Sequence, residues 1–293
     1  MDNNEYKNTD YIAHYTDGES CLNILYSKEL WLTPKQNTAD LFEYYLGTKK
    51  HVALHSIFPN SSEGPFDERA WKASYEIATA YRCIRQTSFC RTNKPKKIGC
   101  SEHMDLDGCC FVHQRMWEQY ASNYEGFCLV FSLSELKKNN HTVQFKKVKY
   151  RSICQLDKII RQDSLDADRF RNDPKYLSKA KMDAVRRSLF KAKDYRDENE
   201  IRAIAIVDDE TKKHLSLDIS MALKAIAFFP FYSQKRSHNP RTLDILQNRV
   251  CELADSLGIE VILMDDETGF HVHTLKEHRD RLKEVHAAVM GLE

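Results

Sequence analysis

Glycine is scarce, at 9 of 293 residues, so a glycine-rich loop cradling phosphate is not expected. Long apolar runs are missing too. A membrane-crossing helix needs about 20 apolar residues. The longest apolar stretch, 222–231, is interrupted by Lys224 and Pro230. No charge of one sign dominates: the formal net charge is +1, so no global field favours nucleic acid or a membrane surface. The first residues, MDNNEYKNTDYIAHYT, hold no apolar core of the signal-peptide kind, and the expectation is a cytoplasmic chain without a membrane partner. Its nine cysteines, an odd number, then read as reduced thiols. There is no internal repeat, Walker loop, nucleophile elbow, kinase signature set or H-E-x-x-H helix.

What is present is an ordinary globular composition, 42% hydrophobic and 30% charged, with enough aromatic residues to fill a core. Helical spacing of Cys21, Leu22, Leu25 and Leu30 predicts a helix over 18–30 with Ser20 as its cap, followed by the short strand LWLTP. A helix is predicted over 68–86 and a strand over 87–92. Residues 93–107, with Pro95, read as a loop, 112–124 as a helix ended by Gly126, and 127–133 as a buried strand. Alternation over 142–151 predicts a half-exposed strand. Residues 155–193 read as charged helix, 199–207 and 214–220 as strands, 242–266 as helix–turn–strand, and 274–289 as helix. Strands and helices mix without a strict β-α-β rhythm. The expectation is a single α+β domain over 1–293: a central mixed β-sheet with flanking helices and a C-terminal helical extension at 266–293.

Several short pieces occur in a telling order. They are Ala13-His14-Tyr15-Thr16, Leu22-Asn23-Ile24-Leu25 with Leu30-Trp31-Leu32, Thr87-Ser88-Phe89-Cys90, Met116-Trp117-Glu118-Gln119-Tyr120-Ala121 with Gly126-Phe127-Cys128-Leu129-Val130-Phe131, Val148-Lys149-Tyr150, and Glu198-Asn199-Glu200-Ile201-Arg202. Together they resemble the bacterial domain-of-unknown-function family 2971 over roughly residues 11–265. Where that family has N-D-P-F-E, this chain reads Ala39-Asp40-Leu41-Phe42-Glu43, without the Asn and the Pro.

The order His14-Tyr15-Thr16, Ser88-Phe89, Glu198-x-Glu200 also resembles the three-strand signature of ADP-ribosyltransferases. That resemblance implies an ADP-ribosyltransferase-like core and NAD as substrate, with no metal. It implies catalytic Glu200, Glu198 and His14, and a dinucleotide held by His14, Tyr15, Thr16, Ser88, Phe89, Trp117, Tyr120 and Arg202. A bacterial toxin or phage-defence role rests on the same analogy, with an unknown macromolecular acceptor or plain NAD hydrolysis. The residue types suit the chemistry, because a fixed carboxylate favours positive charge developing on a ribose carbon. The plain alternative for Glu198, Glu200 and Arg202 is an internal salt bridge. For Trp117 and Tyr120, three apart on one helix face, it is core packing.

Two other chemistries compete. Cys100-x-x-His103 and Cys110-x-x-His113 offer four soft ligands, but not at a standard zinc spacing. Basic residues cluster at 94–97, 146–151 and 175–196. The last holds Lys179, Lys181, Arg186, Arg187, Lys191, Lys193 and Arg196 and reads as a solvated helix face, with nucleic acid or a nucleotide as its other partner. The alternatives to the enzyme are therefore a non-catalytic nucleotide- or protein-binding module and a nuclease-like effector.

Overall fold

The run Phe127-Cys128-Leu129-Val130-Phe131 is apolar at every position, the pattern of a strand covered on both faces. The computed structural model describes residues 9–35, 68–93, 108–161, 173, 175–230, 240–265 and 271–274. Its strands are β1 Tyr11–Thr16, β2 Glu29–Pro34, β3 Ile84–Arg91, β4 Phe127–Ser132, β5 Gln144–Lys147, β6 Lys149–Arg151, β7 Phe190–Ala192, β8 Glu200–Ile206, β9 Leu215–Asp218, β10 Leu223–Phe228, β11 Glu260–Asp265 and β12 His271–Thr274. Its helices are α1 Gly18–Ser27, α2 Glu68–Arg82, α3 Gln114–Tyr120, α4 Leu133–Asn139, α5 Ile153–Arg161, α6 Tyr176–Arg187 and α7 Pro240–Leu257, with a 3-10 helix at Lys193–Glu198. The fold is α+β, with mixed strand pairing and flanking helices.

The chain divides into two compact units, each discontinuous in sequence. The first comprises Met1–Leu30, Phe89–His141 and Leu217–Glu293; the second comprises Trp31–Ser88 and Thr142–Ser216.

In the first unit β4 lies between β1 and β10, antiparallel to both, and all six of its residues are buried. β11 joins β10 in parallel after the crossover helix α7, and β12 joins β11 antiparallel. One face of β1 (Tyr11, Ala13 and Tyr15) enters a core with Phe111, Trp117, Phe229 and Met264. Trp117 is fully buried; its Nε1 donates to the Phe111 carbonyl at 2.8 Å, and its ring meets Tyr15 and Phe229 edge to face at 5.2 and 5.0 Å. Such pairs add about 0.5–1.5 kcal/mol beyond burial.

The second unit holds the pair β5–β8, antiparallel, with β8 beside the 84–88 part of β3 and β2 antiparallel to β3 through Thr33↔Gln86 and Pro34↔Arg85. Helices α2 and α6 pack together, and β6 and β7 form a separate parallel pair. Leu156, Phe190 and Ala192 make a small core there.

Several expectations need correction. Asp17, not Ser20, caps α1, because its carboxylate accepts from the Ser20 N–H at 2.8 Å. The helix predicted over 68–86 stops at Arg82, and Ile84, Arg85 and Gln86 already belong to β3, where sheet pairing overrides helical propensity. Predicted helix 112–124 shrinks to Gln114–Tyr120, since Ser122, Asn123 and Tyr124 turn left-handed. The predicted helix over 155–193 breaks into α5 and α6 and ends in the unpredicted β7. Position 274 is strand, not helix. The rest of the predicted C-terminal helix, most of the 93–107 loop, and Ala39, Asp40, Leu41, Phe42 and Glu43 lie outside the described residues. Among the described residues no helix is long and apolar enough to cross a membrane.

Gly126 marks a close approach. A Cβ there would stand 2.3 Å from the Thr16 carbonyl oxygen and 2.9 Å from the Ala121 backbone. Backbone cannot yield as a flexible side chain does, so Gly126→Ala is expected to cost at least about 2 kcal/mol. Urea unfolding measures this as a lowered midpoint; an unchanged midpoint would contradict the packing described.

Candidate functional site

Glu200 opens β8, and Arg202 lies two residues further on the same face. The Arg202 guanidinium grips the carboxylate with both arms: Nε donates to Oε1 at 2.6 Å and Nη2 to Oε2 at 3.1 Å. Its Nη1 donates to the carbonyl of Ser188, at the end of α6. Lys191, the middle residue of β7, adds a second cation. Its Nζ stands 2.7 Å from Glu198 Oε2 and 3.3 Å from Glu200 Oε2, and 4.7 Å from the Tyr195 ring centroid. The two acids and two bases are all at least 94% buried. Burying such charges is tolerable because they are paired and hydrogen-bonded together.

The backbone is shaped around the cluster. The Glu200 N–H donates to the Tyr150 hydroxyl at 2.8 Å, and the Val148 N–H to the Glu200 carbonyl at 3.0 Å. Glu198 is not on the strand. It ends the 3-10 helix, and Asn199 follows in the left-handed region at φ 44°. The two-apart spacing therefore does not put both glutamates on one strand face; the turn at Asn199 brings both carboxylates to Lys191 instead. One member of the cluster meets solvent. Ser88 on β3 is exposed, and its hydroxyl donates to Glu200 Oε1.

Burial alone would raise the Glu200 pKa. The Arg202 and Lys191 charges, and the hydrogen bonds from Arg202 and Ser88, outweigh it and hold the carboxyl well below its usual range. The carboxylate stays ionised inside the protein. Burial pushes the Tyr150 phenol upward, so that hydroxyl stays protonated.

The remaining candidates belong to the first unit. His14 is half-buried on β1 opposite Leu129, with its ring 5.8 Å from that of Phe89. Thr16 and Phe89 are buried. The Tyr15 hydroxyl donates to the Cys110 carbonyl at 2.9 Å; burial first, then Cys128, Cys90 and Cys110, raises its pKa. Trp117 and Tyr120 differ, since Trp117 is sealed in the core while Tyr120 is 41% exposed. His14 and Tyr120 thus keep surface that Tyr15 and Trp117 give to packing.

The basic segment 175–196 is not one solvated face, because Arg187 and Lys191 are buried and Lys191 serves the cluster. Cys110 is buried and its thiol is pushed up to about 12, chiefly by burial; Cys100 and His103 lie outside the described residues. Among the described residues no three His, Cys, Asp or Glu side chains are gathered to hold a metal ion.

Sequence reasoning missed Lys191 and Tyr150 as members of this site. The signal for Lys191 was a lone lysine between Phe190 and Ala192, an apolar-flanked charge at the end of a charged helix.

A buried acid–base cluster on an α+β scaffold is the class of site these residues define. A family model described as "Protein of unknown function (DUF2971)" matches residues 116–203. The match runs from α3 through β4 to β8 and includes Glu198, Glu200 and Arg202. The pieces around His14 and Ser88 lie outside it. No curated protein and no solved structure matches the chain significantly.

The depressed Glu200 pKa carries a sign. A lowered folded pKa stabilises the protein above the ordinary value, 4.5, and that stability is lost as pH falls toward about 2. The wild-type unfolding free energy should therefore fall more steeply than that of Glu200→Gln across that window. Urea unfolding at stepped pH measures the two slopes; parallel slopes would mean that Glu200 has an ordinary carboxyl.

Proposed function

We propose that the chain is an NAD-cleaving enzyme of the ADP-ribosyltransferase kind, with Glu200 as the carboxylate that acts on the ribose. One observation carries the reading: a buried carboxylate, held ionised by Arg202 and Lys191, that accepts from the hydroxyl of Ser88, a residue exposed to solvent. A ribose hydroxyl can take the place of Ser88 Oγ on Glu200 Oε1. The C1′–N bond to nicotinamide then breaks, and its electron pair leaves with the ring, cancelling the ring's positive charge. Glu200 stabilises the positive charge left on the ribose. Water, or a nucleophile on a macromolecular acceptor, forms the new bond to C1′ and gives up its proton to solvent. Arg202 and Lys191 hold the carboxylate in place. His14, with Tyr120, is assigned to the dinucleotide by motif order alone. Toxin or phage-defence activity remains the setting that analogy suggests.

A second reading has its own observation. Both oxygens of Glu200 are already engaged by Arg202, Lys191 and Ser88, as in a purely structural cluster. That favours a non-catalytic module binding a nucleotide or a protein. A nuclease-like effector would use Glu198 and Glu200 as metal ligands, yet both carboxylates here salt-bridge Lys191.

Incubation of the protein with NAD, alone and with cell lysate, followed by measurement of nicotinamide, separates the readings. Wild type is expected to release nicotinamide, with Glu200→Gln slower by on the order of 100-fold. Ser88→Ala removes the hydroxyl that the ribose displaces, at an exposed position that tolerates truncation, and is expected to leave release undiminished while keeping the fold. No release from wild type, or undiminished release by folded Glu200→Gln, would sink the enzyme reading.

A further inference from the structure

The face of β3 that carries Ser88 also carries Gln86, two residues earlier. Gln86 pairs with Thr33 on antiparallel β2, so Thr33 shares that face, and so does Trp31, two residues before it. The β2 burial pattern agrees: Leu30 and Leu32 are buried, while Trp31 and Thr33 are exposed. Because the strands run antiparallel, Trp31 lies from Thr33 in the same direction as Ser88 lies from Gln86.

Trp31 is a large apolar ring left 52% exposed. It is also held in place. The His214 ring stacks on it with centroids 4.0 Å apart and planes 10° from parallel. The loop leading to His214 is pinned by fully buried Arg85, whose Nε donates to the Lys212 carbonyl at 2.7 Å and whose Nη2 donates to the Glu210 carbonyl at 2.8 Å. An aromatic platform is thereby built in advance, without the cost of ordering it on binding.

Gln86 adds a second, independent sign of a ligand. It is 91% buried, and among the described residues its Oε1 accepts no hydrogen bond. A buried amide oxygen without a donor is unusual in a native fold.

We propose that Trp31 and Gln86 form a binding subsite beside Ser88 for a planar heterocycle bearing an exocyclic NH2 group. The ring stacks against Trp31, and Gln86, whose Oε1 is sealed from solvent in this structure, turns its amide outward to accept from the NH2 group. On the NAD reading above, on which the choice of ligand rests, both ends of the dinucleotide carry this chemistry: the nicotinamide carboxamide and the adenine amino group. The subsite lies next to the Ser88 hydroxyl and hence to the Glu200 carboxylate.

The test is calorimetric titration of the full chain with nicotinamide and, separately, with adenosine monophosphate. Nicotinic acid and inosine monophosphate, which lack the NH2 donor, are the controls. One amino-bearing probe is expected to bind at least about tenfold tighter than its control, which also tells which end of the dinucleotide enters. Trp31→Leu, at an exposed position, is expected to weaken that probe at least about tenfold. Gln86→Leu is expected to abolish the preference over the control. Absence of binding by both probes, or equal affinity in wild type and Trp31→Leu, overturns the subsite. Binding that persists without nicotinamide release from NAD keeps the subsite and removes only the enzyme reading. Release of nicotinamide with affinity unchanged in Trp31→Leu does the reverse.

Discussion

The grip of Arg202 on Glu200 is the interaction on which the second unit depends. A carboxylate and a guanidinium buried to this degree are tolerable only while they face each other, and removal of one strands the other in low dielectric. The surrounding elements are arranged to prevent that. β7 exists to deliver Lys191, and α6 ends where its Ser188 carbonyl can take the third arm of Arg202. Asn199 accepts a left-handed backbone so that Glu198 can turn in as well. A buried ionic cluster is rarely the cheapest way to stabilise a fold, since apolar residues of similar volume often do as well or better. Its presence beside an exposed hydroxyl is therefore better explained by a need for charge at that point.

Charge at that point is what the proposed NAD cleavage would use. The same strands supply a rigid aromatic ring and an amide oxygen beside the carboxylate, on one face of β2 and β3. The proposal needs no movement of the acids and bases themselves. The Ser88 hydroxyl has to yield its bond to a substrate hydroxyl, and Gln86 has to turn its buried Oε1 toward the ligand.

Much of the fold was legible because period and burial agreed. The unbroken apolar run of β4, the strand after Glu198 and the helix–turn–strand over 242–266 were each readable from a single pattern. The misses were places where tertiary contacts outvoted local pattern. Arg85 and Gln86 continue a helical rhythm in sequence, yet Arg85 is needed to pin the 210–212 loop and the chain there is strand. β7 is three residues long with a lysine at its centre, and its one local mark is the apolar pair Phe190 and Ala192 that flanks the lysine. Of the site, Ser88, Glu198, Glu200 and Arg202 were recoverable from motif order. Lys191 was absorbed into a run of basic residues, and Trp31 into a hydrophobic piece of the family resemblance. Tyr15 and Trp117 show the opposite: residues named for a ligand whose rings pack on each other in the core.

The most direct test of the central claim is a double-mutant cycle on Glu200 and Arg202, with unfolding free energies from urea denaturation of wild type, Glu200→Gln, Arg202→Leu and the double variant. If the two side chains hold each other in the buried cluster, the double variant should lose less stability than the sum of the single losses, by at least about 2 kcal/mol. Additive losses would contradict the account, because they would mean that neither charge depends on the other.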